Sequence, residues 1–243
     1  MTQPKILGVI PARYASSRLP GKPLLEIGGK TMLEHVYRRA CASGVFFRVI
    51  IATDDHRIYD AAEKFGGDVA MTRADHPDGS SRAAEIAAKI DTDYVINIQG
   101  DEPMLDPRML GELAHGLIAD PEADSATVCV PITRDEDFRN PNIVKVVRAQ
   151  NGRALYFSRS PIPYPRNAGG VWHKHIGPYG WRRDFLLDFA ESAQTPLEKT
   201  ESLEMLRVLE RGCAIRCVEA LRDTIEIDTP DDLVKIAKYF AAP

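Results

Sequence analysis

Along the first half of the chain, short apolar runs alternate with stretches of helical period. Residues 6–11 (ILGVIP) form a continuous apolar run of the kind that marks a strand buried on both faces. Residues 48–53 (RVIIAT), 68–72 and 94–99 (YVINIQ) repeat that signal. Between them, residues 31–42, 57–65, 80–89 and 107–119 carry apolar positions three and four apart. Met32, Val36 and Ala40 lie along one stripe, and Ala83, Ile86, Ala87 and Ile90 along another. The second of these helices stops at Gly66-Gly67. This β-α-β order predicts an α/β fold with a mixed, mostly parallel sheet flanked by helices on both faces, joined by right-handed crossovers.

The second half is less periodic. Residues 126–132, 144–148, 154–157, 214–218 and 224–227 read as strands, and 184–191 and 202–210 as helices. Residues 160–170 carry Pro161, Pro163, Pro165 and a glycine pair, and so read as a loop or extended arm. Thr229 stands as an N-cap before Pro230 and opens a final helix to Phe240. Neither a repeat nor a linker divides the chain. Residues 1–243 are taken as a single domain, with 1–125 mainly serving a nucleotide and 126–243 mainly a second substrate and a subunit contact.

Composition narrows the class. The chain has 243 residues, 44% hydrophobic and 27% charged, which suffices for a real core. A formal net charge of -4 argues against nucleic acid as a partner. The first apolar run is too short for a signal peptide, and nothing approaches a membrane span in length; the expectation is a cytoplasmic protein without membrane insertion. Four cysteines are spread as Cys41, Cys129, Cys213 and Cys217. The spacing of Cys213 and Cys217 is not that of a zinc or redox pair, and both read as small buried hydrophobes.

The densest chemistry lies in residues 11–23 (PARYASSRLPGKP), directly after the first strand. In an open parallel sheet this loop sits at the carboxyl ends of the strands, where ligands bind. A Pro-Gly turn, small residues and three cations, Arg13, Arg18 and Lys22, suit a triphosphate better than a solvated surface loop. The spacing is neither that of a Walker loop nor that of a dinucleotide fingerprint, which counts against a Rossmann dehydrogenase. Asp101 follows the strand at 94–99 and Asp228 precedes Thr-Pro. Carboxylates at such positions suit magnesium, although a turn residue and a helix cap are the plainer alternatives.

The string at 11–23 resembles the signature of sugar-nucleotide cytidylyltransferases, and more narrowly that of the 3-deoxy-manno-octulosonate (KDO) cytidylyltransferase, or CMP-KDO synthetase, family. The resemblance continues through 51–54 (IATD), 71–76 (MTRADH), 97–103 (NIQGDEP), 141–147 (PNIVKVV), 154–159 (ALYFSR), 175–179 (HIGPY), 201–207 (ESLEMLR) and 227–230 (IDTP). It implies a nucleotide-diphospho-sugar transferase fold, a homodimer, and activation of an acidic 2-keto sugar by CTP for lipopolysaccharide or capsule. The implied catalytic residues are Arg13, Lys22 and Asp101. Arg13, Ser16, Arg18, Lys22, Met71, Thr72, Arg73 and Ser80 would meet the nucleotide. Arg82, Gln99, Arg159, His175, Tyr179, Glu204 and Met205 would meet the sugar, and Asp101 and Asp228 would hold Mg2+.

Two stretches depart from the family's pattern. Where it reads Ser-Gly-Thr-Asp/Glu-Arg, this chain has Asp78-Gly79-Ser80-Ser81-Arg82, which leaves Arg82 without an acid beside it. Met205 stands where the family has glutamine, and a thioether replaces neither the donors nor the acceptor of an amide. A variant sugar such as 8-amino-8-deoxy-KDO, another acidic sugar, or an inactive nucleotide-binding relative are the alternatives. Retention of Lys22, Asp101 and Asp228 speaks against the last.

Overall fold

The structure, a computed structural model, describes residues 3–15, 19–167, 169–224, 236 and 240. Its elements run β1 (Ile6–Ala12), a 3-10 turn at Lys22–Leu24, β2 (Glu26–Ile27), β3 (Lys30–Thr31), α1 (Met32–Ala42), β4 (Arg48–Thr53), α2 (His56–Lys64), β5 (Val69–Met71), α3 (Gly79–Ala88), β6 (Tyr94–Asn97) and α4 (Pro107–Ala119). They continue with β7 (Ser125–Pro131), α5 (Asp135–Arg139), β8 (Lys145–Arg148), β9 (Ala154–Ser158), β10 (His173–Arg182), α6 (Arg183–Glu191), α7 (Pro196–Glu201), α8 (Met205–Glu210) and β11 (Ile215–Glu219).

The helices of the first half begin where their caps allow. Thr31, Asp55, Asp78 and Asp106 each accept a backbone N–H of the first turn with a side-chain oxygen, which satisfies a donor the helix itself cannot. Pro107 follows its cap at the first helical position, where its missing N–H costs nothing.

Among the described residues, the main sheet has the order β11-β7-β10-β6-β1-β4-β5. The pairs β11–β7, β6–β1, β1–β4 and β4–β5 are parallel, while β10 is antiparallel to both β6 and β7. One reversed strand therefore joins two parallel blocks that point the same way. The period-2 alternation of the strands divides the core between the two faces. Ile6, Ile10, Ile96, Val128 and Ile176 pack with α1, α2 and α4, while Leu7, Val9, Ile50, Val95, Cys217 and Trp181 pack with α3, α6 and α8.

Strand β10 also sets the position of the site. Along one edge it pairs with β7 from His173 to Trp181, broken by a bulge between Ile176 and Tyr179. Along the other edge β6 covers only Tyr179 to Arg182, and β8 covers only His173 and Lys174. His175 N–H still donates to Val144 O at 2.8 Å, just before β8, and the edge carries no strand pairing at residues 176–178. The β8–β9 hairpin thus extends the sheet past the end of β6 and leaves a cleft at the carboxyl ends of the parallel strands.

Several expectations need correction. Residues 173–182 form a ten-residue strand, although polar His173, Lys174 and His175 and the glycines and proline of 177–180 hid its apolar signal. The helix expected over 202–210 begins only at Met205, because Ser202 adopts a left-handed backbone with φ 54° that closes α7 and turns the chain. The strand expected at 224–227 does not include Thr224; residues 225–227 and Thr229 lie outside the described residues, and of the expected final helix only Ile236 and Phe240 are described, both helical. Cys217 is buried on β11, whereas Cys213 precedes that strand and is only half-buried.

Trp181 is fully buried between Phe185 and Phe189, with ring centroids 6.1 and 4.8 Å away. Replacing it with alanine is expected to cost about 3–5 kcal/mol of unfolding free energy, read from the midpoint of a urea titration. A loss below about 1 kcal/mol would show that this face of the core does not depend on the joining strand.

Candidate active site

The loop after β1 is held by its own backbone and by an aromatic clamp. Gly21 N–H donates to the Tyr14 carbonyl at 3.0 Å, and the Arg57 guanidinium lies 3.3 Å from the centre of the Tyr14 ring. Gly21 has φ 70°, a conformation open to glycine at little cost, and a Cβ there would sit 3.2 Å from that ring. This turn delivers Lys22, only 8% exposed, to the carboxyl end of β6. There its ammonium meets Asp101 Oδ2 at 2.7 Å. The other carboxylate oxygen, Asp101 Oδ1, is buried and has no hydrogen-bond partner. An orphaned buried carboxylate oxygen is costly unless a cation or donor meets it on binding.

Arg13 reaches across to the loop between β5 and α3. Its guanidinium donates to the carbonyl of His76, and to that of Asp78 at 3.5 Å. Thr72 donates its hydroxyl to Thr53 O at 3.1 Å and accepts from Arg82 at 2.5 Å. Arg73 lies on the surface beside Asp75, and Met71 is exposed. Ser16 and Arg18 lie outside the described residues, as does Asp228.

Arg82 is fully buried, and desolvation lowers the proton affinity of its guanidinium. Asp54, directly after β4, is its ion partner at 3.2 Å, so an acid absent from position 81 on α3 is supplied from the end of a strand. That pair is close without being aligned as a hydrogen bond. Asp54 Oδ1, Arg82 Nε and Nη2, and Asn97 Oδ1 all remain buried without hydrogen-bond partners. The sequence alone does not mark Asp54, Asn97 or Tyr14 as site residues. Asp54 and Asn97 could have been found as polar residues at the ends of predicted buried strands.

Ser80 links the two halves of the site. Its hydroxyl donates to Glu204 Oε1 at 2.9 Å and accepts from Asn97 Nδ2 at 3.3 Å. Glu204 lines the cleft with partial exposure. Desolvation, helped by the nearby Asp78 charge, pushes its carboxyl up to about 8, against the opposing pull of Ser80 and Arg207. Gln99 donates to Gly177 O at 3.1 Å across the open edge of β10. A Cβ on Gly177 would fall 2.6 Å from Gln99 Cγ and 2.9 Å from Glu102 Oε1. Only glycine allows this approach.

The ring of His175 is sandwiched between Tyr179, stacked at 5.4 Å, and Phe157, edge-on at 5.3 Å. Burial pushes it down to about 3, so it is neutral at neutral pH. Its Nε2 lies 2.8 Å from Thr127 Oγ1, whose hydroxyl is also within reach of the carbonyls of Ile176 and Pro178. A neutral tautomer that donates from Nε2 frees the threonine hydroxyl to donate to a carbonyl. Arg159 donates to Glu201 O at 2.8 Å and Pro141 O at 3.2 Å. Met205 is buried in the core layer with Leu206 and Val208. The structure thus gathers Arg13, Lys22, Ser80, Arg82, Gln99, Asp101 and Glu204 around linked contacts at the carboxyl ends of the strands; His175 and Tyr179 form an adjoining wall, and Met205 packs behind it.

A family profile described as Cytidylyltransferase matches residues 7–221. The chain is 49% identical to a 3-deoxy-manno-octulosonate cytidylyltransferase of Syntrophotalea carbinolica, over 96% of this chain and 98% of that one. It is 48% identical to a protein of the same name from Geobacter metallireducens, over 96% of this chain and 97% of that one. Among solved structures, a CMP:2-keto-3-deoxy-manno-octonic acid synthetase complexed with CTP superposes with a TM-score of 0.93 at 46% identity, covering 98% of each chain.

Gly177→Ala forces Gln99 to move and is expected to lower the melting temperature by roughly 5 °C; an unchanged melting temperature would show that the approach is slack. Glu204 binds a proton more tightly folded than unfolded, so its contribution to stability is full below about 4.5 and is lost as pH rises through about 8. Glutamine mimics the protonated carboxyl and loses nothing over that window. The melting temperature of Glu204→Gln relative to the parent is therefore expected to rise by on the order of 5 °C between pH 5 and pH 8. A difference that stays flat across that range would mean that Glu204 is ionised throughout.

Proposed function

The chain belongs to the cytidylyltransferase family, in its 3-deoxy-manno-octulosonate branch, and from that premise we propose that it activates KDO with CTP to give CMP-KDO and pyrophosphate. The single observation that carries this reading is the Lys22–Asp101 pair at the carboxyl end of β6, 2.7 Å apart, with Asp101 Oδ1 left open. It gives one cationic donor for the nucleotide phosphates and one anionic oxygen for a cation, side by side.

The anomeric hydroxyl of the sugar attacks the α-phosphorus of CTP, forming the new P–O bond as the bond to the β-phosphate breaks and pyrophosphate leaves. Charge grows on the phosphoryl and leaving oxygens, so fixed cations stabilise the transition state more than the ground state. Lys22 and Arg13 supply those cations from a loop whose shape is fixed by Tyr14 and Gly21. Arg82, buried and with unused donors, orients the anionic substrates from the floor of the site. Glu204, Gln99 and the His175–Tyr179 wall face the sugar, and the neutral imidazole adds no charge that would compete with the phosphates.

Magnesium fits the open oxygen of Asp101, because this ion takes one or two carboxylates together with substrate oxygens. When bound by Asp101 and Asp228 it would neutralise phosphate charge. Among the described residues no group of three or more His, Cys, Asp or Glu side chains could hold a metal ion.

The same reading carries a homodimer in the cytoplasm. Exposed apolar side chains in the second half, Leu155 at 60%, Tyr164 at 84% and Val171 at 66%, support a contact with a second copy. No helix among the described residues is long and apolar enough to cross a membrane. Lipopolysaccharide or capsule synthesis would consume the product.

Purified protein given CTP, KDO and magnesium is expected to release pyrophosphate, with UTP far less effective. Asp101→Asn should lower kcat by at least about a hundredfold. Release that requires 8-amino-8-deoxy-KDO would keep the chemistry and change the sugar, while no release with either sugar would overturn the assignment. In the ultracentrifuge the protein should sediment as a dimer; a monomer at micromolar concentration would remove the second-copy contact.

A further inference from the structure

We propose that Asp78 is a positioning residue for the sugar side of the site, because one of its carboxylate oxygens caps α3 while the other holds Arg207 of α8. This inference rests on the reading of Glu204 as a sugar contact.

Ser81 N–H donates to Asp78 Oδ1 at 2.7 Å, and the Ser81 hydroxyl lies 3.4 Å from Asp78 N and 3.0 Å from Asp78 O. Asp78 and Ser81 form a capping box with the acid at the N-cap and the hydroxyl three residues on. The ordinary capping box has these two chemistries reversed, as does the family's Ser-Gly-Thr-Asp/Glu pattern. The exchange keeps the helix start intact and moves the carboxylate to a position where its second oxygen is free to act.

That oxygen completes a buried arginine. Arg207 is 3% exposed and has five N–H donors in a fixed fork. Nε and one Nη2 proton go to the two oxygens of Glu198, at 2.8 and 2.6 Å. The Nη1 protons go to Phe189 O at 3.3 Å and Ser192 O at 3.2 Å. One Nη2 proton remains, and Asp78 Oδ2 accepts it at 3.3 Å. Every donor is then used. Without Asp78, one donor of a buried guanidinium has no partner, which is costly where water does not reach.

The tie spans the two halves of the site. On the nucleotide side, the backbone of the same residue accepts from Arg13. On the sugar side, Arg207 stands one helical turn beyond Glu204, whose carboxylate meets Ser80 on α3. Asp78 therefore fixes α8 against α3, and with it the place of Glu204. Because Glu198 still holds Arg207 when Asp78 is changed, α8 keeps its fold and loses only its register against α3.

Two variants separate the tie from the cap. Asp78→Asn keeps an oxygen for the cap and removes the charge that faces Arg207. The exchange Asp78→Ser with Ser81→Asp restores the usual capping box and removes the tie. In both, KM for KDO is expected to rise about fivefold while KM for CTP stays near the parent value, and the melting temperature falls by about 2–6 °C because a buried donor is left unpaired. Amide exchange at residues 204–206 should accelerate by about tenfold, with residues 86–87 unchanged. An unchanged KM for KDO, or equal rises for both substrates, overturns the inference. If the parent enzyme makes no CMP-KDO, the activity assignment fails and amide exchange still decides: no acceleration at 204–206 sinks the tie.

Discussion

The constraint from which the rest of the structure follows is the reversed strand β10 set between two parallel blocks. A parallel sheet gathers its loops at one end, and β10 carries the second half of the chain into that end from the opposite direction. Because β6 stops at Asn97 while β10 continues back to His173, the sheet must either end there or find another partner. It finds β8, and the interval between β6 and β8 is the cleft. Trp181 anchors one end of β10 in the core, and the bulge near Gly177 shapes the other end for Gln99.

Charge in the cleft is managed by unequal pairing. Lys22 and Asp101 neutralise each other but leave one carboxylate oxygen open. Arg82 and Asp54 are close yet poorly aligned, so their hydrogen-bonding capacity is unspent. Arg207, by contrast, has all its donors satisfied. A side chain with unspent donors is ready to meet a ligand, whereas a fully satisfied one holds the frame. This difference separates buried cations with hydrogen-bonding capacity to spare from those that hold the frame.

Much of this was legible in the sequence where chemistry is local. The apolar runs of β1, β4 and β6 read directly because strands buried on both faces tolerate little else. The helix caps, the Pro-Gly turn before Lys22 and the carboxylate after β6 are short-range patterns. The long strand β10 was not legible, since its polar start and its glycines carry no period of two. Nor was the break at Ser202, where a single left-handed residue overrides a helical pattern.

The sequence by itself determined the α/β alternation, the cationic loop after the first strand, and the resemblance that names the chemistry, because each depends on residues close together or on an ordered string of them. Only the tertiary structure decided which partner each charge takes. The sequence sets Arg82 beside Ser81 and suggests a missing acid; the fold brings Asp54 from the end of β4 to the helix that carries Arg82. It sets Asp78 and Arg207 129 residues apart, and nothing in either segment announces the other. Long-range pairing depends on strand order and on which side chains burial leaves with unsatisfied donors, and those are properties of the packed chain rather than of any stretch of it.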